Sequence, residues 1–276
     1  MPTSSFIEYE RRSGLLMEKP ADRSKTRVDL LLVERGVVPS RERARALILA
    51  GRVLVNEQKI EKAGALVPQG ASIRLLGEDM PYVSRGGLKL AGALDHWEID
   101  VKGRVCLDVG ASTGGFTDCL LQYGAAHVTA LDTGFGQIAM KLRIDPRVRL
   151  VERTNARFLA PAALAEAGMP NLTLLVMDVS FISATLLLEP VLAAAPGLNE
   201  CVILVKPQFE VGRGNVGKGG IVRDPEAHQF AIDKVSASVA SLGWNVVGAI
   251  PSPITGAEGN REFLLYARQG NSSRPA

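Results

Sequence analysis

Residues 104–116 constrain the fold of this chain most, because an apolar run passes there into a glycine-rich turn and a helical pattern follows. Strand, tight turn and helix in this order open the sheet of a nucleotide-binding α/β domain. In the dinucleotide fingerprint Gly-x-Gly-x-x-Gly, the middle glycine lets a pyrophosphate approach the main chain. That spacing falls here on Gly110, Ser112 and Gly115, so the turn departs from the form that binds NAD.

Two acidic residues flank this turn. Asp108 precedes it, and Asp132 ends the next apolar run, where its carboxylate can accept hydrogen bonds from ribose hydroxyls. The turn resembles motif I of the S-adenosylmethionine-dependent methyltransferases, whose cofactor has a ribose but no phosphate. The alternative is an ordinary βα turn that binds nothing. The resemblance implies an S-adenosyl-L-methionine site formed by Asp108, Gly110, Ser112, Thr113, Gly114, Gly115, Phe116, Asp132, Asn155 and Asp178.

Strand and helix patterns alternate from residue 104 onward, which predicts a parallel sheet with helices on both faces. Strands are predicted at 104–109, 127–131, 148–151, 172–177 and 201–205, and helices near 115–123, 136–143, 157–168 and 184–194. A helix at 225–242 and strands at 244–250 and 261–268 follow. The turn at 256–260 predicts a hairpin that puts an antiparallel strand at the sheet edge. This ending resembles the seven-stranded, Rossmann-like methyltransferase fold.

The composition excludes several classes of protein. Hydrophobic residues make up 46% and charged residues 22% of the 276 residues, which is typical of a soluble globular chain. An apolar run of eighteen residues is absent, and residues 1–12 lack an apolar core, so we expect neither a membrane span nor a signal peptide. The three cysteines and three histidines do not cluster, which predicts reduced thiols, a cytoplasmic location and no metal site.

Positive charge is concentrated at the front of the chain. Residues 1–90 hold sixteen basic and eleven acidic side chains, a balance of +5, whereas the remainder balances at −2. A basic module attached to a near-neutral body predicts binding of a polyanion. An excess of this size is also compatible with an ordinary solvated surface.

The front of the chain predicts two short helices and several short strands, with Ser40 capping the second helix. The segments 27–32, 40–44 and 51–56 resemble the αL-type RNA-binding domain of a small-subunit ribosomal protein, tyrosyl-tRNA synthetases and pseudouridine synthases. The resemblance implies phosphate contacts with structured RNA. The alternative is a surface helix with salt bridges to Glu34 or Glu42. The expected RNA-binding residues are Arg27, Arg41, Arg43, Arg45, Arg52 and Lys59, with Arg213 and Lys218 of a glycine-rich loop at 211–220.

Two charged residues follow the fourth and fifth predicted strands. Asp178 follows the fourth, and Lys206 ends the apolar run 201–205, where an ammonium is costly to desolvate unless it is paired. Carboxyl ends of parallel strands meet at one edge of a sheet, so we expect Asp178 and Lys206 to pair there. A purely structural ion pair is the alternative.

Lys89, Asp178, Lys206 and Glu262 fall where FtsJ-type RNA 2′-O-methyltransferases carry a Lys-Asp-Lys-Glu catalytic set. Segments 84–89, 108–116, 177–183, 206–210 and 219–225 are similar to the TlyA family, which places an αL-type domain before an FtsJ-like domain. That family, once labelled hemolysin, is associated with 2′-O-methylation of cytidine in ribosomal RNA. The resemblance covers about residues 25–268 and implies ribosomal RNA or ribosomal subunits as partners, without membrane or metal.

This organisation predicts five segments. They are a flexible tail at 1–24, the αL-type domain at 25–76, a linker at 77–83, an FtsJ-like methyltransferase domain at 84–268 and a tail at 269–276.

The predicted set is suited to handling one proton. A ribose 2′-hydroxyl is a poor nucleophile and must lose its proton as the methyl group arrives. Lys206 is the candidate for the hydroxyl contact and for the proton acceptor, which requires a neutral amine. Neighbouring Lys89 favours the neutral form, whereas Asp178 and Glu262 favour the charged one. If the carboxylates prevail, Lys206 orients the hydroxyl and water takes the proton.

Other classes of function predict different residues. A Rossmann oxidoreductase would carry the missing middle glycine, and an amino-group methyltransferase would carry Asn/Asp-Pro-Pro-Tyr/Phe where this chain has Asp-Val-Ser-Phe at 178–181. A non-catalytic RNA-binding protein fits the front of the chain but leaves Asp178 and Lys206 unexplained. A membrane-active hemolysin would need a long amphipathic or apolar segment.

Overall fold

The computed structural model describes residues 24–76, 80–166, 171–256 and 258–270. The chain divides into two compact units, Met1–Asp79 and Met80–Ala276. Apart from residues 24, 269 and 270, the two predicted tails lie outside the described residues, as do residues 77–79 of the predicted linker. Within the described ranges, no helix is long and apolar enough to cross a membrane.

The first unit is a small α+β fold around its own apolar core. Its elements are β1 (Lys25–Arg27), α1 (Val28–Glu34), α2 (Arg41–Leu49), β2 (Val53–Val55), β3 (Gln58–Lys59), β4 (Leu66–Pro68) and β5 (Ile73–Leu75). Ser40 caps α2 as predicted, by accepting a hydrogen bond from the main-chain N–H of Arg43. The antiparallel pair β1–β4 escaped prediction, because three-residue strands leave no periodic signal.

The second unit contains a seven-stranded sheet, as expected. Its strands are β6 (Val105–Val109), β7 (His127–Leu131), β8 (Val148–Val151), β9 (Leu174–Met177), β10 (Glu200–Val205), β11 (Trp244–Pro251) and β12 (Phe263–Gln269). They lie in the order β11-β12-β10-β9-β6-β7-β8, and β12 runs antiparallel to both of its neighbours. The carboxyl ends of β6, β7, β9 and β10 therefore share one edge of the sheet.

One detail of the predicted hairpin is wrong. The antiparallel strand β12 does not lie at the sheet edge but between β10 and β11, and β11 is the edge strand. β12 carries the continuous apolar run Phe263–Ala267, which is buried along its whole length. A strand that is apolar on both faces is stable only between two other strands. Along β11, exposed positions alternate with more buried ones, as is typical of an edge strand.

Helices cover both faces of this sheet. They are α3 (Gly86–His96), α4 (Gly115–Gln122), α5 (Met140–Arg143), α6 (Pro161–Glu166), α7 (Thr185–Ala194), α8 (Pro207–Glu210) and α9 (Pro225–Ser241). One apolar cluster joins α7 and α9 to one face, and another joins α3 and α4 to the opposite face. This division follows from the alternation of side chains along each strand.

Two of the predicted helices are shorter than expected. The pattern at 136–143 forms helix only from Met140, since glycines at 134 and 136 disfavour it before that point. The pattern at 157–168 divides into a 3₁₀ turn, Ala156–Phe158, and α6, which begins at Pro161 where proline fits the first helical turn.

The three cysteines are buried in this unit. Burial raises the pKa of the Cys106, Cys119 and Cys201 thiols to about 12, so each stays protonated at neutral pH.

Candidate active site

The glycine turn between β6 and α4 is shaped by close main-chain packing. Gly110 has φ +86°, and a Cβ atom there would lie 2.4 Å from the carbonyl oxygen of Asp178. At Gly115 a Cβ would lie 2.3 Å from Ser84 Oγ and 3.0 Å from the main-chain nitrogen of Gly87. Both positions therefore require glycine. The segment that leads into α3 rests directly on the first turn of α4.

Asp132, at the end of β7, closes the turn from the other side. Its carboxylate accepts hydrogen bonds from the main-chain N–H of Ser112 at 2.8 Å and of Gly134 at 2.7 Å. Ser112 has φ +49°, so serine adopts here the left-handed conformation for which glycine is the usual residue. Each carboxylate oxygen has two acceptor sites, which leaves capacity for further donors such as hydroxyls.

A cavity of about 470 Å³ opens beside the turn. Its lining includes Gly110, Ser112, Asp132, Asn155 and Asp178. The Asn155 side chain accepts a hydrogen bond from the main-chain N–H of Arg157 at 3.0 Å, which fixes it at the cavity wall. This volume is in the range of small-molecule sites.

A second cavity, of about 270 Å³, adjoins the first and shares part of its wall. Thr113, Gly115 and Phe116 line it, together with Lys89 and Lys206. The glycine turn thus separates the two cavities and borders both. Of the predicted cofactor residues, Asp108 and Gly114 line neither cavity.

Asp108 lies beneath the turn and is fully buried. Its Oδ2 accepts a hydrogen bond from Thr117 Oγ1 at 2.6 Å, and its Oδ1 has no hydrogen-bond partner among the described residues. Burial raises the pKa of Asp108 to about 7, against a lowering by the Thr117 hydrogen bond. The structure therefore places this carboxyl behind the cavity wall, where it supports α4, rather than at a cofactor surface.

The four predicted catalytic residues form two ion pairs. Lys206 Nζ lies 2.6 Å from Asp178 Oδ1, as expected from their neighbouring strand ends. Lys89 Nζ lies 2.5 Å from Glu262 Oε2, a pairing across 173 residues of sequence. Both lysine side chains are 10% exposed, so each ammonium is withdrawn from solvent next to a carboxylate.

The two pairs face common cavities. Lys89 and Lys206 line the second cavity and also a third, of about 410 Å³, which includes Glu262. Asp178 lines the first and second cavities. The four side chains therefore stand where the cavity beside the glycine turn meets a separate cavity on the far side.

Comparison with known proteins identifies the families to which the two units are similar. The FtsJ-like methyltransferase family matches residues 82–269, and the S4 domain matches residues 26–73. YqxC of Bacillus subtilis (strain 168) is 48% identical over 244 residues, covering 88% of this chain and 85% of YqxC. The 16S/23S rRNA (cytidine-2′-O)-methyltransferase TlyA of Mycobacterium tuberculosis is 45% identical over 245 residues, covering 88% of this chain and 90% of that protein.

This chain belongs to the TlyA family of FtsJ-like methyltransferases. A solved structure from Streptococcus thermophilus, described as a hemolysin, is 40% identical and aligns with a TM-score of 0.68. The alignment covers 90% of each chain, so the S4 domain and the FtsJ-like domain both have counterparts in it.

Several residues at the TlyA-family site were not singled out from the sequence. Ser180 Oγ accepts a hydrogen bond from Lys206 Nζ at 2.8 Å. Phe181 is 92% exposed, has φ +66°, and its ring centre lies 5.4 Å from that of Phe209. An aromatic residue in a left-handed conformation is unusual enough to mark a site, but backbone angles are not readable from a sequence.

In the S4 domain, two of the predicted RNA-binding arginines share one buried carboxylate. Asp29 Oδ2 lies 2.8 Å from Arg27 and 3.3 Å from Arg41, and the Arg27 hydrogen bond lowers the pKa of Asp29 to about 2. Asp29 was not singled out from the sequence. A hydrogen bond from its own main-chain N–H, one from Ser40 and the charge of Arg41 lower the pKa of Glu42, one of the two acids expected in the alternative. Both guanidinium groups remain about half exposed and can still contact a phosphate.

The other predicted RNA-binding residues have varied surroundings. Arg52 Nε donates to the main-chain oxygen of Leu76 at 2.7 Å, and Lys59 lies against Gly51. Arg45 and Lys218 are exposed, Arg43 is partly exposed, and the side chain of Arg213 is outside the described part.

The glycine-rich loop at 211–220 contains two 3₁₀ turns, and its far end is held by buried Asn260. The Asn260 side chain accepts from the Val222 N–H and donates to the Gly220 oxygen, each at 2.9 Å. In the described ranges, no group of three His, Cys, Asp or Glu side chains is arranged to hold a metal ion. The absence of a metal from the reaction stays a prediction.

Proposed function

We propose that this chain transfers the methyl group of S-adenosyl-L-methionine to the 2′-hydroxyl of a cytidine in ribosomal RNA. The observation that carries the proposal is the meeting of two lysine–carboxylate pairs at cavities bordered by the glycine turn. Lys206–Asp178 and Lys89–Glu262 are spaced at 2.6 and 2.5 Å. The ribosomal substrate is supported by the S4 domain and by the activity named for the Mycobacterium tuberculosis TlyA protein.

The first cavity fits the proposed cofactor. Gly110 and Ser112 of the turn line it, and Asp132 offers acceptors for ribose hydroxyls. Asn155 would lie toward the adenine. When bound, S-adenosyl-L-methionine supplies an electrophilic methyl group on a sulfonium.

The lysine pairs act on the hydroxyl of the RNA. Their carboxylates hold each ammonium in a fixed direction at the cavity wall, so the hydroxyl meets a preorganised set of charges. Lys206 would contact the 2′-oxygen and either take its proton or direct it to water. Lys89, on α3, and Glu262, immediately before β12, would hold the far side of the ribose.

The S4 domain would supply affinity for folded RNA through arginine–phosphate contacts. Arg213 and Lys218 of the loop at 211–220 would add phosphate contacts near the target nucleotide, which must leave its stack to enter the third cavity. A cytoplasmic location, where ribosomal subunits are found, stays part of this proposal.

The direct test measures transfer of a labelled methyl group to isolated ribosomal subunits, followed by mapping of the modified ribose. We expect label on a 2′-oxygen of a cytidine. Label on a base nitrogen or carbon would contradict the reaction, and label on no RNA would favour the alternative of a non-catalytic RNA-binding protein.

The cofactor assignment is tested by calorimetry on the purified chain. Asp132→Ala should weaken S-adenosyl-L-methionine binding by about ten- to hundredfold, because hydrogen bonds to a charged group contribute roughly 1.5–3 kcal/mol. Glu226→Ala, at an exposed position at the start of α9, is the matched control and should bind normally. Binding of NAD in place of S-adenosyl-L-methionine would contradict the assignment.

A further inference from the structure

Ser180 lies at the junction of the cavities described above. Of the residues that line these three cavities in the described part of the chain, it is the one shared by all three. Its hydroxyl is therefore placed where the ligand beside the glycine turn and the ligand beside Glu262 would approach each other.

The Ser180 hydroxyl is a hydrogen-bond acceptor for Lys206 Nζ. The nitrogen donates a hydrogen bond to Ser180 Oγ at 2.8 Å, whereas Asp178 Oδ1, 2.6 Å away, is an ion-pair partner outside hydrogen-bond geometry. A charged lysine has three N–H donors, and a neutral one has two donors and a lone pair. In either protonation state, the hydrogen bond to Ser180 leaves at least one position for a group in the cavities that Lys206 lines.

The main chain around Ser180 is anchored on both sides. The Asp178 N–H donates to the Val109 oxygen at 3.0 Å, and the Ala184 N–H donates to Glu210 Oε1 at 2.7 Å. Ser180 itself is exposed and packs in no apolar cluster of the described residues. Its side chain therefore has a contact to Lys206 but little role in holding the fold together.

We propose that Ser180 is a positioning residue for methyl transfer, whose hydroxyl fixes the rotation of the Lys206 nitrogen so that its remaining position faces the ribose hydroxyl. The ion pair with Asp178 attracts the nitrogen but sets no hydrogen-bond direction. The hydrogen bond to Ser180 Oγ fixes the direction of one N–H, and therefore the directions in which the remaining positions on the nitrogen point, so that one of them is aligned with the 2′-oxygen. This inference rests on the proposed function.

The test compares Ser180→Ala, Ser180→Thr and the control Ser241→Ala, all in the full chain. Ser241 lies at the end of α9 and donates to the main-chain oxygen of Ser238, away from the strand ends that form the site. Methyl transfer to ribosomal subunits gives kcat and KM, and calorimetry gives cofactor affinity.

Ser180→Ala should lower kcat by about ten- to hundredfold while KM for the RNA and cofactor affinity stay near the wild-type values. Ser180→Thr keeps the hydroxyl and should recover most of kcat, and Ser241→Ala should match the wild type. A wild-type kcat in Ser180→Ala would overturn the inference, as would a threonine variant as slow as the alanine variant.

These outcomes are distinct from failure of the proposed function. If the wild-type chain itself transfers no methyl group, the proposed function is wrong, and the inference falls with it. If the wild type is active and the alanine variant is equally active, the function stands and the role of Ser180 is refuted.

Discussion

At the scale of single residues, the site depends on paired charges, of which Lys89, Lys206 and Glu262 are buried and Asp178 is partly buried. Lys89, Asp178, Lys206 and Glu262 would each be costly in an apolar surrounding, and each has an oppositely charged neighbour within 2.6 Å. Asp108 is the contrasting case, since its fully buried carboxyl has a hydroxyl partner but no ion pair among the described residues. We therefore expect substitution of a paired site residue to reduce methyl transfer, and substitution of Asp108 to change the pH dependence of stability.

Replacement of Lys206 separates its two possible roles. Lys206→Ala should reduce methyl transfer by about 10²- to 10⁴-fold, the usual range for a positioned proton acceptor, with cofactor affinity retained. Arginine keeps the charge but cannot give up its proton. Lys206→Arg should therefore be as inactive as alanine if Lys206 takes the proton, and partly active if it orients the hydroxyl. Full activity of Lys206→Ala on ribosomal subunits would contradict the proposed mechanism.

Asp108 should make stability depend on pH. Its folded pKa of about 7 is above the ordinary 3.8, so the folded state binds this proton more tightly than the unfolded state. The contribution to stability is complete below pH 4 and is lost as pH rises to 7. Between pH 5 and 8 the loss should be about 3 kcal/mol, because only the two units from pH 5 to 7 contribute, at roughly 1.4 kcal/mol each.

Asp108→Asn should remove that dependence while keeping an acceptor for the Thr117 hydroxyl. Urea unfolding at pH 5 and pH 8 tests this prediction. The fluorescence of Trp97 and Trp244, which both belong to the FtsJ-like domain, monitors the unfolding. The asparagine variant should be the more stable protein at pH 8. Equal pH dependence in the two proteins would show that Asp108 is ionised throughout this range.

At the scale of elements, a buried cluster ties the segments after β9 and β10 together. Glu210, on α8, accepts from the Ala184 N–H at 2.7 Å and from the Ser183 hydroxyl, and lies 3.0 Å from Lys234 on α9. These segments carry Asp178 and Lys206. The cluster therefore joins three segments at the edge of the sheet where the proposed catalytic pair lies.

Glu210→Gln should loosen this junction. The amide keeps one acceptor but loses the charge that attracts Lys234, so unfolding should become easier by about 1–3 kcal/mol. Methyl transfer should fall as well, because Lys206 lies four residues before Glu210 on the same short segment. Glu226→Gln, exposed on α9, is the control. The test measures thermal unfolding and turnover together. Wild-type values of both in the Glu210→Gln variant would contradict a role of Glu210 in holding this junction.

At the scale of the whole molecule, the proposed RNA-binding residues of the S4 domain and the proposed catalytic residues lie in two different compact units. The S4 domain carries the basic excess, and the FtsJ-like domain carries the cavities and the lysine pairs. Each unit has its own apolar core, so the second should fold without the first.

Deletion of residues 1–79 should leave cofactor binding unchanged and remove activity on ribosomal subunits. Binding of the full chain to RNA should weaken steeply with salt, because each phosphate contact releases counterions. Filter binding at two salt concentrations and calorimetry on the truncated chain measure the two effects. Equal methylation by the truncated chain would show that the S4 domain is dispensable.

Local sequence was enough to determine much of this protein. The alternation of strand and helix patterns predicted the sheet. Asp132, Asp178 and Lys206 each follow a predicted parallel strand, and parallel strands bring their carboxyl ends together, so the three residues were expected at one edge of the sheet. The proximity of Asp178 and Lys206 was foreseeable for that reason. The tight turn at Gly110 was foreseeable too, since only glycine satisfies its geometry.

Two kinds of feature could be determined only from the tertiary structure: the contacts between distant segments, and the direction in which individual side chains point. The approach of Lys89 to Glu262 depends on β12 entering beside β10, which burial on both faces decides. The hydrogen bond of Ser180 to Lys206 and the burial of Asp108 depend on side-chain direction. No periodicity encodes these features, because they arise when elements pack and the chain must place every buried charge beside a partner.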